Sequence, residues 1–192
     1  MELVTARLRL DALRVEDAPA LFAYRADRQV ARFQGWQPAD LADATDFIGR
    51  QAGATLDPPN GWLQRAIRLR AVDELIGDLG IHLPSDPYGS VEFGISIAPS
   101  QQGRGYAIEA LRAVLALAFD TLGRHRVYAS VDPRNHASMA MLRSLGLRQE
   151  AHHRQSLWLH GEWVDDVVFA LLADEWAALR ANDAGASGAP SR

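Results

Sequence analysis

The sequence predicts a mixed α/β domain in which about four to five helices cover a central, mostly antiparallel sheet of about seven strands. Two patterns predict this fold class. Segments whose apolar residues alternate with polar ones, as in a half-buried strand, are interspersed with segments whose apolar residues recur every three or four positions, as in an amphipathic helix. Three strands in the middle of the chain have connections too short for crossovers, so they are expected to be antiparallel, whereas the strand–helix–strand step over residues 91–131 requires a parallel pair.

The size and composition are those of one ordinary globular domain. The 192 residues are enough for a hydrophobic core, and 48% of them are hydrophobic and 23% charged. We expect the domain to span residues 1–181 and a small, polar, disordered tail to follow at 182–192. A formal net charge of −4 argues against a broad nucleic-acid-binding surface, so no nucleic acid is expected as a partner.

Several classes of site and segment are excluded by composition. The chain contains no cysteine, which excludes disulfides, thiolate metal sites and a cysteine nucleophile. The N-terminal segment lacks the apolar stretch of a signal peptide, and the longest apolar run, residues 113–119, is too short to cross a bilayer. The six histidines have no metal-ligand spacing, so no metal is expected; His82 and His152 lie on strands that could bring them to a cleft. A cytoplasmic protein with no membrane partner is expected.

The N-terminal part contains one predicted strand and two predicted helices. Apolar and charged residues alternate over Leu3–Leu10, which predicts a half-buried strand. Asp17 and the proline two positions later suit an N-cap and a first-turn position, so a helix is expected to begin here. After a loop over residues 32–40, Asp40 can cap a second helix over about Leu41 to Ala54.

The rest of the chain alternates between strands and helices. Strands are predicted at residues 62–70, 75–83 and 91–99, from residue 126, and at 154–159 and 162–172, with turns near 56–61 and 84–90 and at His160 and Gly161. Helices are predicted over about 18 residues ahead of Gly123, from Asn135 to Gly146, and at 173–181. The helix before Gly123 has an apolar face formed by Ile108, Leu111, Leu115, Phe119 and Leu122.

The loop PSQQGRGYAIEAL, residues 99–111, has the composition of an anion-binding loop. A glycine-containing loop that enters a helix offers unpaired N–H groups and the positive end of the helix dipole. The Lys-Ser/Thr end of a nucleoside-triphosphate loop is missing, and Ile108 is too large for the third small residue of a dinucleotide fingerprint. Gly103 and Gly105 are also compatible with a tight turn that binds nothing.

Three segments, in order, resemble the GNAT acyltransferases. QGRGYA at residues 102–107 has the form Q-x-x-G-x-A, which resembles the pyrophosphate-binding signature Q/R-x-x-G-x-G/A of that family. NHASMAMLRSLGL, from Asn135, and TARLRLDALRVEDAPALFAY, from Thr5, resemble segments of its RimJ/RimL-like branch. The resemblance covers residues 3–172. It implies the GNAT fold, with a parallel strand pair splayed at the coenzyme A site, and acetyl-CoA-dependent N-acetyltransferase activity.

The resemblance places acetyl-CoA, a co-substrate, at this loop and the elements around it. The strand before the loop would pair its backbone with the pantetheine arm, and the loop and helix start would donate N–H groups to the pyrophosphate. Asn135 would bind the pantetheine or the thioester, although it is also suited to cap its helix. The cofactor-binding residues so implied are Ile95, Ser96, Ile97, Gln102, Gly103, Arg104, Gly105, Tyr106, Ala107, Ile108, Asn135 and Ser138.

Acetyl transfer to an amine needs a base for the amine and stabilisation of the leaving thiolate. Many GNAT members place a tyrosine seven residues after the asparagine for the second task, but this position is Leu142 here. The RimJ/RimL-like branch resembles this chain in having a serine, so Ser138 is the catalytic candidate at the thiolate. Glu92, on the strand that leads to the loop, is the candidate base, and water-mediated deprotonation is its rival. The glutamate that some relatives carry before the last hairpin turn is replaced by Leu157.

The amine acceptor is expected between the loop after the first helix and the C-terminal hairpin. Aromatic rings and carboxylates suit a cationic amine, and the candidate substrate-binding residues there are Phe33, Trp36, Glu92 and Trp163. The acceptor can be a protein N-terminus or a small molecule such as a polyamine, an amino-acid derivative or an aminoglycoside. The alternative is a non-catalytic acyl-CoA-binding or regulatory module with the same fold. A homodimer is suggested by relatives alone.

Overall fold

The chain forms one mixed sheet with helices on both faces in the computed structural model, which describes residues 1–56, 61–84 and 89–187. The strands are β1 (Leu3–Val4), β2 (Leu8–Asp11), β3 (Trp62–Leu69), β4 (Glu74–His82), β5 (Ser90–Ile97), β6 (Arg126–Val131), β7 (Arg148–Leu159) and β8 (Glu162–Leu172). The α-helices are α1 (Ala18–Arg25), α2 (Arg28–Ala31), α3 (Leu41–Gln51), α4 (Tyr106–Ala116), α5 (His136–Ser144) and α6 (Ala173–Ser187). The predicted fold class is confirmed.

The strands lie side by side in the order β1-β2-β3-β4-β5-β6-β8-β7. Neighbouring strands are antiparallel except for β5 and β6, which run parallel. α4 lies in the crossover between the two parallel strands, as the strand–helix–strand step predicts. The short connections between β3, β4 and β5 give the predicted antiparallel arrangement.

The predicted N-terminal strand is a two-stranded hairpin, which raises the strand count from the predicted seven to eight. Leu3 pairs with Leu10, so the chain reverses between them. Thr5 closes the reversal, because its N–H donates to Leu8 O at 2.9 Å and its hydroxyl oxygen accepts from the Leu8 N–H at 2.9 Å. The alternation of apolar residues continues through this turn, so the pattern does not reveal it.

In the N-terminal part, α2 and α3 begin at capping carboxylates, whereas Asp17 stands at the N-cap position of α1 as predicted but its side chain makes no capping hydrogen bond. α2 is an additional short helix, capped by the Asp27 carboxylate. α3 is capped by Asp40 as predicted, through a 2.8 Å bond from the Asp43 N–H. It ends at Gln51 rather than near Ala54.

The C-terminal part is more regular than predicted. α6 ends at Ser187 and so includes residues 182–187 of the expected disordered tail. Alanine, the best helix former, recurs along this segment and supports the extension. β7 begins at Arg148 rather than at residue 154. The central residues of two predicted turns, 57–60 and 85–88, and the last residues, 188–192, lie outside the described residues.

The sheet separates two hydrophobic clusters and therefore has two distinct faces. The α4 face carries the larger cluster, which includes Leu10, Ile67, Phe93, Leu111, Leu115, Leu142 and Phe169. The α1 face carries a smaller cluster under α1 and α3, which includes Leu21, Ile48 and Ala66. Because side chains alternate along a strand, Phe93 of β5 faces α4 whereas its neighbours Glu92 and Gly94 are directed to the α1 face.

Candidate active site

β5 and β6 separate after a short stretch of parallel pairing. The register joins three residues of each strand and ends with Glu92 opposite Tyr128. On its other side, β5 stays paired with β4 as far as Ile97. The last residues of β5 therefore have a neighbouring strand on one side only. We call the space between the ends of β5 and β6 the strand gap.

The hydrogen-bond register shows which backbone groups of β5 face the strand gap. Ala98 N–H donates to Ile76 O of β4 at 2.8 Å. Backbone groups alternate in direction along a strand, so those of Ser96 also face β4, whereas those of Ile95 and Ile97 face the strand gap. Of these three candidate cofactor-binding residues, Ile95 and Ile97 thus offer backbone groups to a ligand in the gap, and Ser96 does not.

The loop after β5 has the geometry of an anion-binding loop. Gly103 and Gly105 have φ values of 72° and 78°, which side chains rarely allow. A Cβ at Gly103 would meet nothing within 4 Å, and one at Gly105 would meet only the Arg7 side chain, at 3.5 Å. The space beside both glycines is therefore open. α4 begins directly afterwards at Tyr106, and the first N–H groups of a helix lack intrahelical acceptors.

Two side chains hold this loop in place. Gln102 Nε2 donates to Ile97 O at 2.9 Å, which ties the loop to the end of β5. Arg7 Nη1 donates to Arg104 O at 3.0 Å, and Arg7 Nε donates to Glu109 of α4 at 2.6 Å. Gln102 therefore supports the loop through β5, and the turn between β1 and β2 supports it through Arg7.

A cavity of about 110 Å³ occupies the strand gap. It is bounded by Phe93, Gly94 and Ile95 of β5, by residues 129–132, by Asn135, Ser138, Met141 and Leu142 around α5, and by Phe33 and Gln34 of the loop after α2. The α5 residues lie on the α4 face, and the loop packs against the α1 face. Residues from both faces of the sheet thus meet around one cavity between the ends of β5 and β6. A more open depression of about 620 Å³ lies beside α3 and contains none of the candidate residues.

The α5 wall of the cavity combines a helix cap with a hydroxyl group. Asn135 Oδ1 accepts from the Ser138 N–H at 3.1 Å, so the capping role is present. Asn135 also lines the cavity, as does Ser138. Leu142, where many GNAT members have a tyrosine, is buried in the same wall. The side-chain hydroxyl that α5 brings to the cavity is that of Ser138.

Glu92 belongs to a row of four side chains on adjacent strands, which we call the Glu92 row. The register aligns Trp62 with His82, His82 with Glu92, and Glu92 with Tyr128. Glu92 Oε2 lies 3.3 Å from His82 Nδ1 and accepts from the Tyr128 hydroxyl at 3.2 Å. The rings of Trp62 and His82 stack with their centroids 5.2 Å apart. The contacts with His82 and Tyr128 hold the Glu92 carboxylate in place. The Glu92 side chain is 21% exposed, so the carboxylate is still accessible.

Residues 7–148 match a family model described as an acetyltransferase (GNAT) domain. The chain belongs to the GNAT family. It is 30% identical over 177 residues to the uncharacterized N-acetyltransferase p20 of Bacillus licheniformis. The matched region covers 91% of this chain and 98% of the relative. Over 83 residues, or 43% of each protein, it is 35% identical to the ribosomal protein uS5-alanine N-acetyltransferase of Escherichia coli.

The fold of a solved GNAT structure agrees with this assignment. Spermidine N-acetyltransferase from Vibrio cholerae, in complex with CoA and spermine, matches with a TM-score of 0.75 at 19% identity, over 90% of this chain and 99% of that chain. Together with the family match, the named relatives identify this GNAT member as an acetyl-CoA-dependent acetyltransferase.

The predicted acceptor residues of this GNAT domain are not all brought together. Phe33 lines the cavity. Trp36 does not line it and stacks on Phe47, with ring centroids 4.2 Å apart. Trp163 lies on the C-terminal hairpin, where it makes an edge contact with Trp158, and it is not among the residues that line the cavity. Of the four candidates, Phe33 lines the cavity, whereas Glu92 does not line it and lies beside it at the last β5 position that pairs with β6.

The C-terminal hairpin is joined to the other elements around the α1 side of the cavity. His160 and Gly161 form the predicted tight turn, with φ values of 48° and 86°. His160 Nε2 lies 3.0 Å from Ala31 O at the end of α2. Arg134, in the segment before α5, donates to Glu162 at 2.8 Å. The hairpin turn, α2 and the start of α5 thus form one connected rim.

Sequence reasoning missed three residues of this GNAT site. Arg7 holds the loop after β5 through Arg104 O. Gln34 lines the cavity. Tyr128 donates a hydrogen bond to Glu92. Tyr128 lies in a predicted strand, but its place beside Glu92 depends on the parallel register, which no local pattern specifies.

Two features are absent from residues 1–56, 61–84 and 89–187. No group of three or more metal-ligating side chains lies close enough there to hold a metal ion. None of the helices in those ranges is long and apolar enough to span a membrane.

Proposed function

We propose that this GNAT member transfers the acetyl group of acetyl-CoA to a primary amine by direct attack in a ternary complex. The observation that carries the proposal is the cavity in the strand gap, which is bounded by α5 on the α4 face and by Phe33 and Gln34 on the α1 face. Two substrates that enter from opposite faces can meet in such a cavity without a covalent enzyme intermediate.

Acetyl-CoA binds along β5 in this proposal. The backbone of Ile95 pairs with the pantetheine arm as an added strand would, while the Ile97 carbonyl remains bonded to Gln102. The pyrophosphate lies against the N–H groups of residues 103–108, where the open space beside Gly103 and Gly105 and the α4 dipole favour an anion. Arg104, exposed in the loop, adds positive charge.

Glu92 is the proposed base. The amine nitrogen attacks the thioester carbonyl carbon, the carbon–sulfur bond breaks, and its electron pair leaves with the sulfur of CoA. One amine proton passes to the Glu92 carboxylate, directly or through one water molecule. His82 and Tyr128 both contact Glu92 Oε2 and thereby orient the carboxylate.

Ser138 is the proposed partner of the leaving thiolate. Its hydroxyl is a weak acid, so it stabilises the sulfur by a hydrogen bond rather than by full proton transfer. Asn135 fixes the start of α5 by capping the Ser138 N–H, and this bond holds Ser138 at the cavity wall.

The charges around the cavity favour a monoamine such as a protein N-terminus. Among the described residues that line the cavity, Asp132 is the one carboxylate, and it is paired with Arg134 at 2.6 Å, which leaves Glu92 of the adjacent row. One available carboxylate suits a single ammonium better than a polyamine. The similarity to the uS5-alanine acetyltransferase supports the same choice and a place in the RimJ/RimL-like branch, whereas the spermine-bound structure represents the polyamine alternative.

The test offers a panel of amines to the protein with acetyl-CoA and measures acetyl transfer as release of the free CoA thiol. The panel contains peptides with N-terminal alanine or serine, amino-acid amides and spermidine. We expect thiol release with the peptides to exceed that with spermidine, with the acetylated product confirmed by mass spectrometry. Tight acetyl-CoA binding without thiol release for any amine would contradict the proposal.

Two variants of Gly105 locate the acetyl-CoA site in the same experiment. Gly105→Glu places a carboxylate beside the pyrophosphate and is expected to abolish acetyl-CoA binding in calorimetry. Gly105→Ala introduces the same backbone strain at φ 78° without charge, so it should weaken binding far less. Unchanged acetyl-CoA affinity in a folded Gly105→Glu variant would refute the assignment of the loop.

A further inference from the structure

A buried arginine of α1 connects the middle of the sheet to the wall of the cavity. Arg25 is 6% exposed and its partner on β4, Asp78, is fully buried. Arg25 Nε and Nη2 donate to the two Asp78 oxygens at 3.0 and 2.5 Å. Its remaining terminal nitrogen, Nη1, donates to Gln34 Oε1 at 3.1 Å. Gln34 in turn lines the cavity beside Phe33.

We propose that Arg25 is a positioning residue for the acceptor amine. One edge of its guanidinium holds the sheet through Asp78, and the other edge holds the wall formed by Phe33 and Gln34. The affinity for the amine therefore depends on Arg25, while the affinity for acetyl-CoA does not. This inference rests on the proposed function, because it takes the α1 face as the side from which the amine enters.

Asp78 is held so firmly that it can orient Arg25. It also accepts hydrogen bonds from the Tyr24 hydroxyl at 2.7 Å and from Gln64 Nε2. Burial alone would lower the pKa of Arg25, but the charge and hydrogen bonds of Asp78 outweigh burial and raise it, so the guanidinium stays charged. A planar guanidinium with two nitrogens on one carboxylate can point its third nitrogen in only one direction.

The loop over residues 32–40 has few other supports for its cavity-lining side chains. Gln34 N–H donates to Ala31 O at 2.9 Å, and Gln37 Nε2 donates to Ala26 O at 3.2 Å. The first bond holds the backbone of the loop at Gln34, and the second ties the Gln37 side chain to the end of α1. Neither bond holds the side chain of Gln34. The bond from Arg25 does, because it is made to Gln34 Oε1.

The chain contains a matched control for Arg25. Arg68 of β3 is equally buried, at 2% exposure, and lies on the same α1 face. Its guanidinium donates to Asp17 at 2.7 and 2.5 Å and to Asp11 at 2.8 Å. These bonds lead to the segment between β2 and α1 and not to the loop over residues 32–40. Replacing Arg68 therefore removes a comparable ion pair without touching the cavity wall.

The experiment compares Arg25→Lys, Arg68→Lys and Gln34→Leu with the wild-type protein. Lysine keeps the charge at Asp78 but cannot also reach Gln34, and leucine at position 34 removes the Gln34 bond while leaving the Arg25–Asp78 pair intact. Steady-state KM values are measured for the preferred amine and for acetyl-CoA. Hydrogen exchange of the peptide that contains residues 32–37 reports on the loop without any acceptor.

We expect Arg25→Lys to raise the KM for the amine about tenfold, because this is the effect of losing one hydrogen bond from a charged donor. The KM for acetyl-CoA should stay within about twofold of the wild-type value. Gln34→Leu should change the amine KM in the same direction. Both variants should speed hydrogen exchange in residues 32–37. Arg68→Lys should change neither the KM for the amine nor the hydrogen exchange of these residues. Equal effects of Arg25→Lys and Arg68→Lys on the amine KM would overturn the inference.

The two proposals fail in distinguishable ways. If the wild-type protein acetylates no amine, the proposed function fails, and hydrogen exchange alone then decides the role of Arg25. Unchanged exchange of residues 32–37 in both Arg25→Lys and Gln34→Leu would overturn that role whatever the outcome with amines.

Discussion

Glu92 shows how one residue acquires a chemical role from the strands around it. β4 and β6 place His82 and Tyr128 on either side of it, and both contact the same carboxylate oxygen, Oε2. A carboxylate on an isolated strand would rotate freely among several rotamers. Here the two contacts restrict it, which suits the proposed role of Glu92 as the base for an amine that arrives in a fixed position.

Replacing Glu92 by glutamine is expected to lower kcat by about 10²-fold or more, because the variant keeps the shape of the side chain but cannot accept the proton. Acetyl-CoA binding, measured by calorimetry, should not change. Glu74→Gln is the control, since Glu74 is an exposed carboxylate of β4 that lies outside the Glu92 row. An unchanged kcat in Glu92→Gln would assign the proton to water.

At the scale of elements, the β1–β2 turn acts as a support for the start of α4. Glu109 of α4 accepts from the Thr5 hydroxyl at 2.6 Å and from the Arg7 N–H at 2.8 Å, besides its ion pair with the Arg7 guanidinium. Partial burial tends to raise the pKa of Glu109, but these hydrogen bonds outweigh it and hold the pKa below its ordinary value of 4.5. An N-terminal turn that the sequence pattern did not reveal thus stabilises the loop that is proposed to bind the pyrophosphate.

This depressed pKa predicts a definite pH dependence. Glu109 contributes its full stabilisation above its unfolded pKa, and the contribution is lost as the pH falls through the lower folded value. The difference in Tm between the wild-type protein and Glu109→Gln should therefore be constant from neutral pH down to about pH 5 and shrink at lower pH. Thermal unfolding at a series of pH values checks this. A difference that grows on acidification would be inconsistent with the Arg7 and Thr5 contacts.

At the scale of the whole molecule, two buried arginines bind the α1 layer to the sheet. Arg25 pairs with Asp78, and Arg68 pairs with Asp17 and Asp11. Asp17 stands at the predicted N-cap of α1, but its carboxylate binds Arg68 and the Arg14 N–H instead of capping the helix. The start of α1 is therefore anchored to β3 by an ion pair.

Asp17→Asn is expected to lower the free energy of unfolding by about 3 kcal/mol, because it leaves a buried guanidinium with one carboxylate instead of two. Urea denaturation measures the loss. Glu16→Gln, at the exposed neighbouring position, should change the stability by less than about 0.5 kcal/mol. A loss below about 1 kcal/mol in Asp17→Asn would mean that Asp11 alone neutralises Arg68.

The fold was predictable where it depends on local patterns. Apolar alternation located β3, β4 and β5, and helical periodicity located α4, because burial of one face leaves a period in the sequence. The hairpin at Thr5 was not predictable, because a turn made by one side chain leaves the alternation intact. The helix cap at Asn135 was predictable as one of two roles, since Asn is a common capping residue.

The site was predictable in its motifs and not in its cross-strand contacts. The resemblance to GNAT sequences pointed to Ser138 and Asn135, and the structure brings both to one cavity with Ile95 and Phe33. The contact of Glu92 with Tyr128 and that of Arg25 with Asp78 join residues far apart in the chain. Such pairs are fixed by register and layer packing, about which a single sequence carries little information.

The short pairing of β5 with β6 also has a mechanical consequence. Six residue pairs join β4 to β5 and six join β6 to β8, but only three join β5 to β6. Between β2 and β7, the β5–β6 junction has the fewest residue pairs, so separating β5 from β6 breaks fewer backbone hydrogen bonds than separating the strands beside them. This junction adjoins the strand gap, where the proposed substrates meet, so a change in the spacing of β5 and β6 would change the volume of the cavity.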